Sequence, residues 1–117
     1  MSEKNSRAIF GETVRNKRLE KNISLNKFAK MVGVSAPFIS KMEVGVWNAP
    51  KEENIIKMAD ILEINKYDLL GMAKKVSSDV QERILENPSM FSSLLRKATP
   101  EKLAKNYNKI IELLEDE

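Results

Sequence analysis

Ser24-Leu-Asn-Lys-Phe-Ala-Lys-Met-Val-Gly33-Val-Ser-Ala-Pro-Phe-Ile-Ser-Lys-Met-Glu43 is the stretch from which the architecture follows. It divides at Gly33 into two short helical patterns. Leu25, Phe28, Ala29 and Val32 fall at i, i+3, i+4 and i+7, forming one apolar stripe of a helix that Ser24 can cap. Ser35 is a second good N-cap, and Pro37 falls in the first turn after it, where a missing N–H does no harm. This next helix spans about 36–43, with Ile39 and Met42 facing inward. Two helices that cross closely at a steep angle need a small residue at the contact and a glycine where the chain reverses. Ala29 and Gly33 meet both needs. The second helix then projects from the body, and its outward side chains can enter a DNA major groove.

Helical periodicity continues on both sides. Upstream, Phe10, Val14 and Arg18 stand at i, i+4 and i+8, and the helix should end near Asn22, a residue that tolerates the left-handed conformation. Downstream, residues 44–50 read as a loop carrying Gly45, Asn48 and Pro50. A fourth helix is expected from about Lys51 to Leu62 on Ile55, Met58, Ala59 and Leu62, and a fifth from about Lys66 to Met72, capped by Asn65. Five short helices with connections of two to seven residues make an all-α bundle over residues 1–73. Residues 74–117 differ in character. Ser78-Asp79-Val80-Gln81 is a capping-box pattern opening a helix to about Glu86, Asn87-Pro88 punctuates it, and Ser89 to Ala98 forms another. Thr99-Pro100 then opens a last helix with Leu103, Tyr107, Ile110, Ile111 and Leu114 on one stripe.

Composition narrows the function. The chain has 117 residues and neither Cys nor His. Disulfides, Cys/His metal or haem sites, thiol nucleophiles and His-based acid–base catalysis are therefore excluded, and no catalytic or metal-binding constellation is visible. No cofactor is expected. No apolar run approaches the roughly 18 residues of a membrane span, and Met1 to Phe10 lacks a signal-like stretch, so a cytoplasmic location is expected. The net charge is only +3, but it is unevenly spread. Residues 1–50 hold nine Lys/Arg against four Asp/Glu, residues 51–73 three against five, and residues 74–117 eight against eight. A basic first half suits a polyanion partner, although a solvated lysine-rich face would look the same.

Taken together, Leu25, Phe28, Ala29, Gly33, Val34, Ser35, Ile39, Ser40, Glu43 and Gly45 resemble the helix-turn-helix family of the lambda-repressor and Cro type, the Xre-like regulators. The resemblance covers about residues 8–73 and continues through Ile55 to Leu62 and Tyr67 to Leu70. It implies a five-helix DNA-binding domain followed by a helical C-terminal extension. The chain departs from the family at three points. Leu25 stands where a backbone-contacting Gln is common, Ala36 and Pro37 stand where Gln often opens the recognition helix, and Val44 stands where Arg or Asn usually follows Glu43.

On this reading Lys41, on the outward face of the third helix, is a base-edge residue able to reach guanine acceptors, or else a phosphate contact. Ser40 beside it touches DNA or is simply solvated. Ala36 and Pro37 can offer only apolar contact, for instance to a thymine methyl. Phe38 is either an inward anchor or an outward wedge. Ser35 caps the helix and suits a phosphate. Arg15 and Lys17 supply phosphate contacts from helix one, and Asn48 and Lys51 supply them around the loop before helix four. The resemblance places Arg18 beside Glu43 as a mainly structural ion pair that also approaches the DNA backbone. Trp47 packs on Lys51, on a neighbouring subunit or on DNA.

The implied function is a sequence-specific double-stranded DNA-binding regulator, a repressor acting as a homodimer on two half-sites. The alternative is a protein-interaction module of the antitoxin or anti-restriction type on the same scaffold. The stripe of Leu103, Tyr107, Ile110, Ile111 and Leu114 is the expected dimerisation surface, unless it folds back on Val80, Ile84, Phe91 and Leu95 to complete a monomer core.

Overall fold

The structure is a computed structural model and describes residues 5–115, so residues 1–4 and 116–117 of the two expected segments lie outside the described residues. Among the described residues every regular element is helical. They run α1 (Ser6–Glu20), α2 (Leu25–Val32), α3 (Ala36–Glu43), α4 (Glu52–Leu62), α5 (Lys66–Met72), α6 (Ser78–Glu86), α7 (Pro88–Lys97) and α8 (Pro100–Glu115). None is long and apolar enough to cross a membrane. The helices fall into two compact units, one ending at Ser77 and the other beginning at Ser78.

Short polar side chains set most of the helix starts by accepting backbone N–H groups that the first turn leaves without partners. Asn5 accepts from Ala8, Ser24 from Lys27, Ser35 from Phe38, and Asn65 from both Tyr67 and Asp68. The stops rely on left-handed residues. Asn22 after α1 has φ 56°, Gly33 after α2 has φ 91°, and Glu63 after α4 has φ 57°. Helix α4 begins one residue later than the periodicity suggested, with Lys51 at the cap position and making no side-chain cap bond.

In the first unit, α3 packs on α1 and α2, while α4 lies against α1, α2 and α5. Their inward faces form one core: Phe10, Val14, Phe28, Ala29, Val32, Ile39, Met42, Ile55, Met58, Ala59, Leu62, Leu69 and Leu70. Leu25 only borders this core, because the first turn of α2 lies at its edge. Gly11 is buried on the same stripe of α1 as Phe10, Val14 and Arg18. A Cβ placed there would come within 2.2 Å of the Met42 carbonyl oxygen and 2.6 Å of that of Glu43. Helix α1 thus touches the backbone at the end of α3, and only the missing side chain lets it.

The second unit is built differently. Its caps are sound, with Asn87 accepting from Met90 and Thr99 from Lys102. Asn87-Pro88 therefore opens α7 as well as closing α6. No described side chain of α6, α7 or α8 is buried. On the α8 stripe Leu103, Tyr107 and Leu114 are exposed, the last by 75%, while Ile110 and Ile111 are half-buried. Of the residues expected to cover them, Ile84 and Phe91 are half-buried, and Val80 and Leu95 are exposed. The stripe is not sealed into a core.

Gly11→Ala should destabilise the protein by about 3 kcal/mol or more, because backbone rather than a pliable side chain must move. Gly33→Ala meets nothing within 4 Å and should cost only about 1–2 kcal/mol, from its left-handed backbone. Urea unfolding of both variants checks the order, and equal midpoints would contradict it.

Candidate nucleic-acid interface

At about 100° per residue, Pro37, Ser40, Lys41 and Val44 lie on one side of α3 and its C-cap, opposite Ile39, Met42 and Glu43. The first four are exposed and the last three are buried. Ala36, at the start of α3, is half-buried, and Ser35 uses its hydroxyl to accept the Phe38 N–H at 3.2 Å. This outer face is small, mostly uncharged and centred on one cation, Lys41.

The orientation of the face is set from beneath. Arg18 donates through Nε to Glu43 Oε2 at 2.8 Å and through Nη2 to Oε1 at 2.9 Å, a two-pronged ion pair in which each residue is only 6% exposed. Its remaining nitrogen, Nη1, donates to the Ile23 carbonyl at 2.9 Å, which ties in the α1–α2 turn. The Glu43 hydrogen bond raises the Arg18 pKa above the ordinary guanidinium value, so the charge persists at any working pH. With all three guanidinium nitrogens engaged and the side chain buried, Arg18 is part of the frame.

The first half of the loop after α3 is tied back to α3 and α1. The Lys41 carbonyl accepts the N–H groups of Val46 at 2.9 Å and Trp47 at 3.3 Å, and Arg7 donates to the Val46 carbonyl at 3.4 Å. Gly45 turns the chain at φ 83°, close against Ala8 of α1. Trp47 packs on Phe38, with ring centroids 5.8 Å apart, and the Lys41 ammonium lies 5.4 Å from the Trp47 centroid. Of the three settings expected for Trp47, a ring contact with Lys51 is not found among the described residues. Lys51 instead pairs with Glu53 at 2.7 Å, and that hydrogen bond holds the exposed Glu53 carboxyl below its usual range. Phe38, half-buried, is neither a full anchor nor a free wedge. It forms the floor for the Trp47 ring. Asn48 is exposed in the same loop.

Helix one does not deliver its two cations together. Arg15 and Lys17 are both exposed, but positions two apart lie on nearly opposite sides of a helix. Lys17 is further engaged with Glu20 at 3.5 Å. Gly11 and the grip of the loop on α3 are two features that the sequence pattern does not single out. An isolated glycine within a helical apolar stripe was the available signal for the first. The second depends on backbone hydrogen bonds that carry no sequence signature.

A short helix seated on a second one, locked from below by a buried ion pair and presenting a polar outer face, defines a helix-turn-helix domain. Residues 14–69 match the model of the Helix-turn-helix family. The chain is 42% identical over 55 residues to the HTH-type transcriptional repressor RghR of Bacillus subtilis (strain 168), a match covering 47% of this chain and 41% of that protein. It is 30% identical over 73 residues to the uncharacterised HTH-type transcriptional regulator RghRB of the same organism, over 62% and 52% of the two lengths. It therefore spans about half, or less, of these curated relatives. Among solved structures, that of the clp gene regulator ClgR from C. glutamicum matches with a TM-score of 0.52 at 25% identity, over 62% of this chain and 92% of that one.

Glu43→Ala should destabilise the fold by about 3–5 kcal/mol, since it leaves a buried guanidinium without its counter-ion. Replacing both partners by apolar residues, Arg18→Met with Glu43→Leu, should restore most of that loss. Chemical denaturation of the single and double variants checks this, and additive losses would mean that the charges are not coupled.

Proposed function

We propose that this protein binds double-stranded DNA sequence-specifically and regulates transcription, as a repressor, in the cytoplasm alongside its operator. The observation that carries the reading is the seating of α3. Its inner face is buried, its C-terminus is clamped through Glu43, and its outer face of Pro37, Ser40 and Lys41 is free within a segment of the helix-turn-helix family. That is how a helix enters a major groove with its side chains already aimed. The name of RghR, a transcriptional repressor, supports the direction of regulation. Lys41 reads a base edge, and Ala36 and Pro37 add apolar contact at the helix start. Ser35, Ser40, Asn48 and Lys51 meet the backbone, as does one of Arg15 and Lys17.

One α3 offers few base contacts, so two copies acting on half-sites about one helical turn apart supply the discrimination. The partly exposed α8 stripe of Leu103, Tyr107, Ile110, Ile111 and Leu114 is the surface that would join them. An apolar face of this kind is unfavourable in water. The test of the whole reading is selection of bound DNA from a random pool, followed by footprinting. A two-part consensus is expected, and indifference to sequence would overturn it.

Two further outcomes are expected. Lys41→Ala should weaken specific binding by about 1–3 kcal/mol and relax preference at one position per half-site, whereas a loss equal on random DNA would make Lys41 a phosphate contact. Leu103→Glu combined with Ile110→Glu should turn a dimer into a monomer in sedimentation and weaken operator binding, leaving the first unit folded. A doubly substituted protein that stays dimeric would remove α8 from the interface.

A further inference from the structure

Trp47 lies outside the helix that carries the reading face, yet its backbone and its ring are both tied to that helix. Its N–H donates to the Lys41 carbonyl, and the Gly45 turn brings the loop back along α3. Phe38 and Lys41 stand three apart on α3, so they share a side of it, and the Trp47 ring covers both. Trp47 is 43% exposed, which makes it part of the surface rather than of the core. Among the described residues Lys41 pairs with no carboxylate, unlike Lys17, Lys21 and Lys51. The partner of its ammonium is the indole face.

We infer that Trp47 is the positioning residue that makes Lys41 a reader of guanine. This rests on the proposal that α3 reads DNA. A lysine on an exposed helix is a flexible point charge, and left free it satisfies itself on the nearest phosphate with no regard to sequence. The ring quadrupole holds the ammonium over one aromatic face, which leaves the N–H donors on the far side aimed outward from α3. Guanine presents two acceptors, N7 and O6, to a donor in the major groove, whereas adenine presents one acceptor beside a donor. A cation held at a set position can distinguish these two patterns. One that swings cannot. The aromatic contact also orders the side chain before DNA arrives, so less freedom is lost on binding. Phe38 backs the ring from the helix side and keeps it from collapsing onto α3.

The experiment uses the full chain and the fact that Trp47 is the single tryptophan, so its emission reports this contact alone. Without DNA, Lys41→Met should change the emission intensity or maximum, and an unchanged spectrum would overturn the inference. On DNA, the parent should prefer guanine over adenine at the Lys41 position by about tenfold. Trp47→Leu keeps an apolar side chain but removes the aromatic face. It should reduce that preference to below about threefold, with affinity for random DNA and its salt dependence unchanged. Trp47→Phe should retain most of the preference. The double variant Lys41→Ala with Trp47→Leu should be no weaker than Lys41→Ala alone, because Trp47 acts through Lys41. Should Trp47→Leu fail to fold, the Trp47→Phe and Lys41→Met measurements still decide the matter. Retained guanine preference in Trp47→Leu, or additive losses in the double variant, overturns this inference alone. A parent with no base preference overturns the DNA-reading proposal and this inference with it.

Discussion

Arg18 and Glu43 meet through two short hydrogen bonds inside the first unit, and the direction in which α3 points depends on that meeting. Removing two charges from water is unfavourable, and the arrangement holds only because each finds the other in good geometry. The pair therefore tolerates little rotation of α3 relative to α1. The third guanidinium bond, to the Ile23 carbonyl, extends the constraint to the turn before α2. All three helices around the proposed reading face are thus referred to one side chain. Gly11 makes this possible. Its missing Cβ lets α1 approach the carbonyls at the end of α3 closely enough for Arg18, two turns further along, to reach Glu43.

From that frame the surface divides cleanly. Beneath α3 lies a closed apolar core, and above it a face whose cation, Lys41, pairs with no carboxylate among the described residues. The loop after α3 behaves as an extension of the helix, since its N–H groups return to the Lys41 carbonyl and its tryptophan lies along the outer side. Rigid mounting of this kind suits recognition, where side chains must be aimed before the partner arrives. The second unit shows the opposite economy. Its helices are well capped but bury nothing fully, which leaves an apolar α8 stripe in search of a cover.

Much of this was legible from residue order. Ser24, Ser35 and Asn65 announce helix starts because their side chains can accept the N–H groups a helix leaves free, and each does so. Apolar spacing identifies the buried side of each helix in the first unit, since a 3.6-residue repeat allows only one face to turn inward. The resemblance also placed Arg18 beside Glu43, across 25 positions of chain, and the two do meet. The helix-turn-helix domain was therefore determined by sequence alone, being written in local capping and periodicity. Where the Arg18 guanidinium ends and which side chains the Trp47 ring meets were decided only by tertiary structure. The reason is physical. Those outcomes depend on where a side chain's final few ångströms are spent, and that is set by the neighbours folding brings within reach rather than by neighbours in the chain.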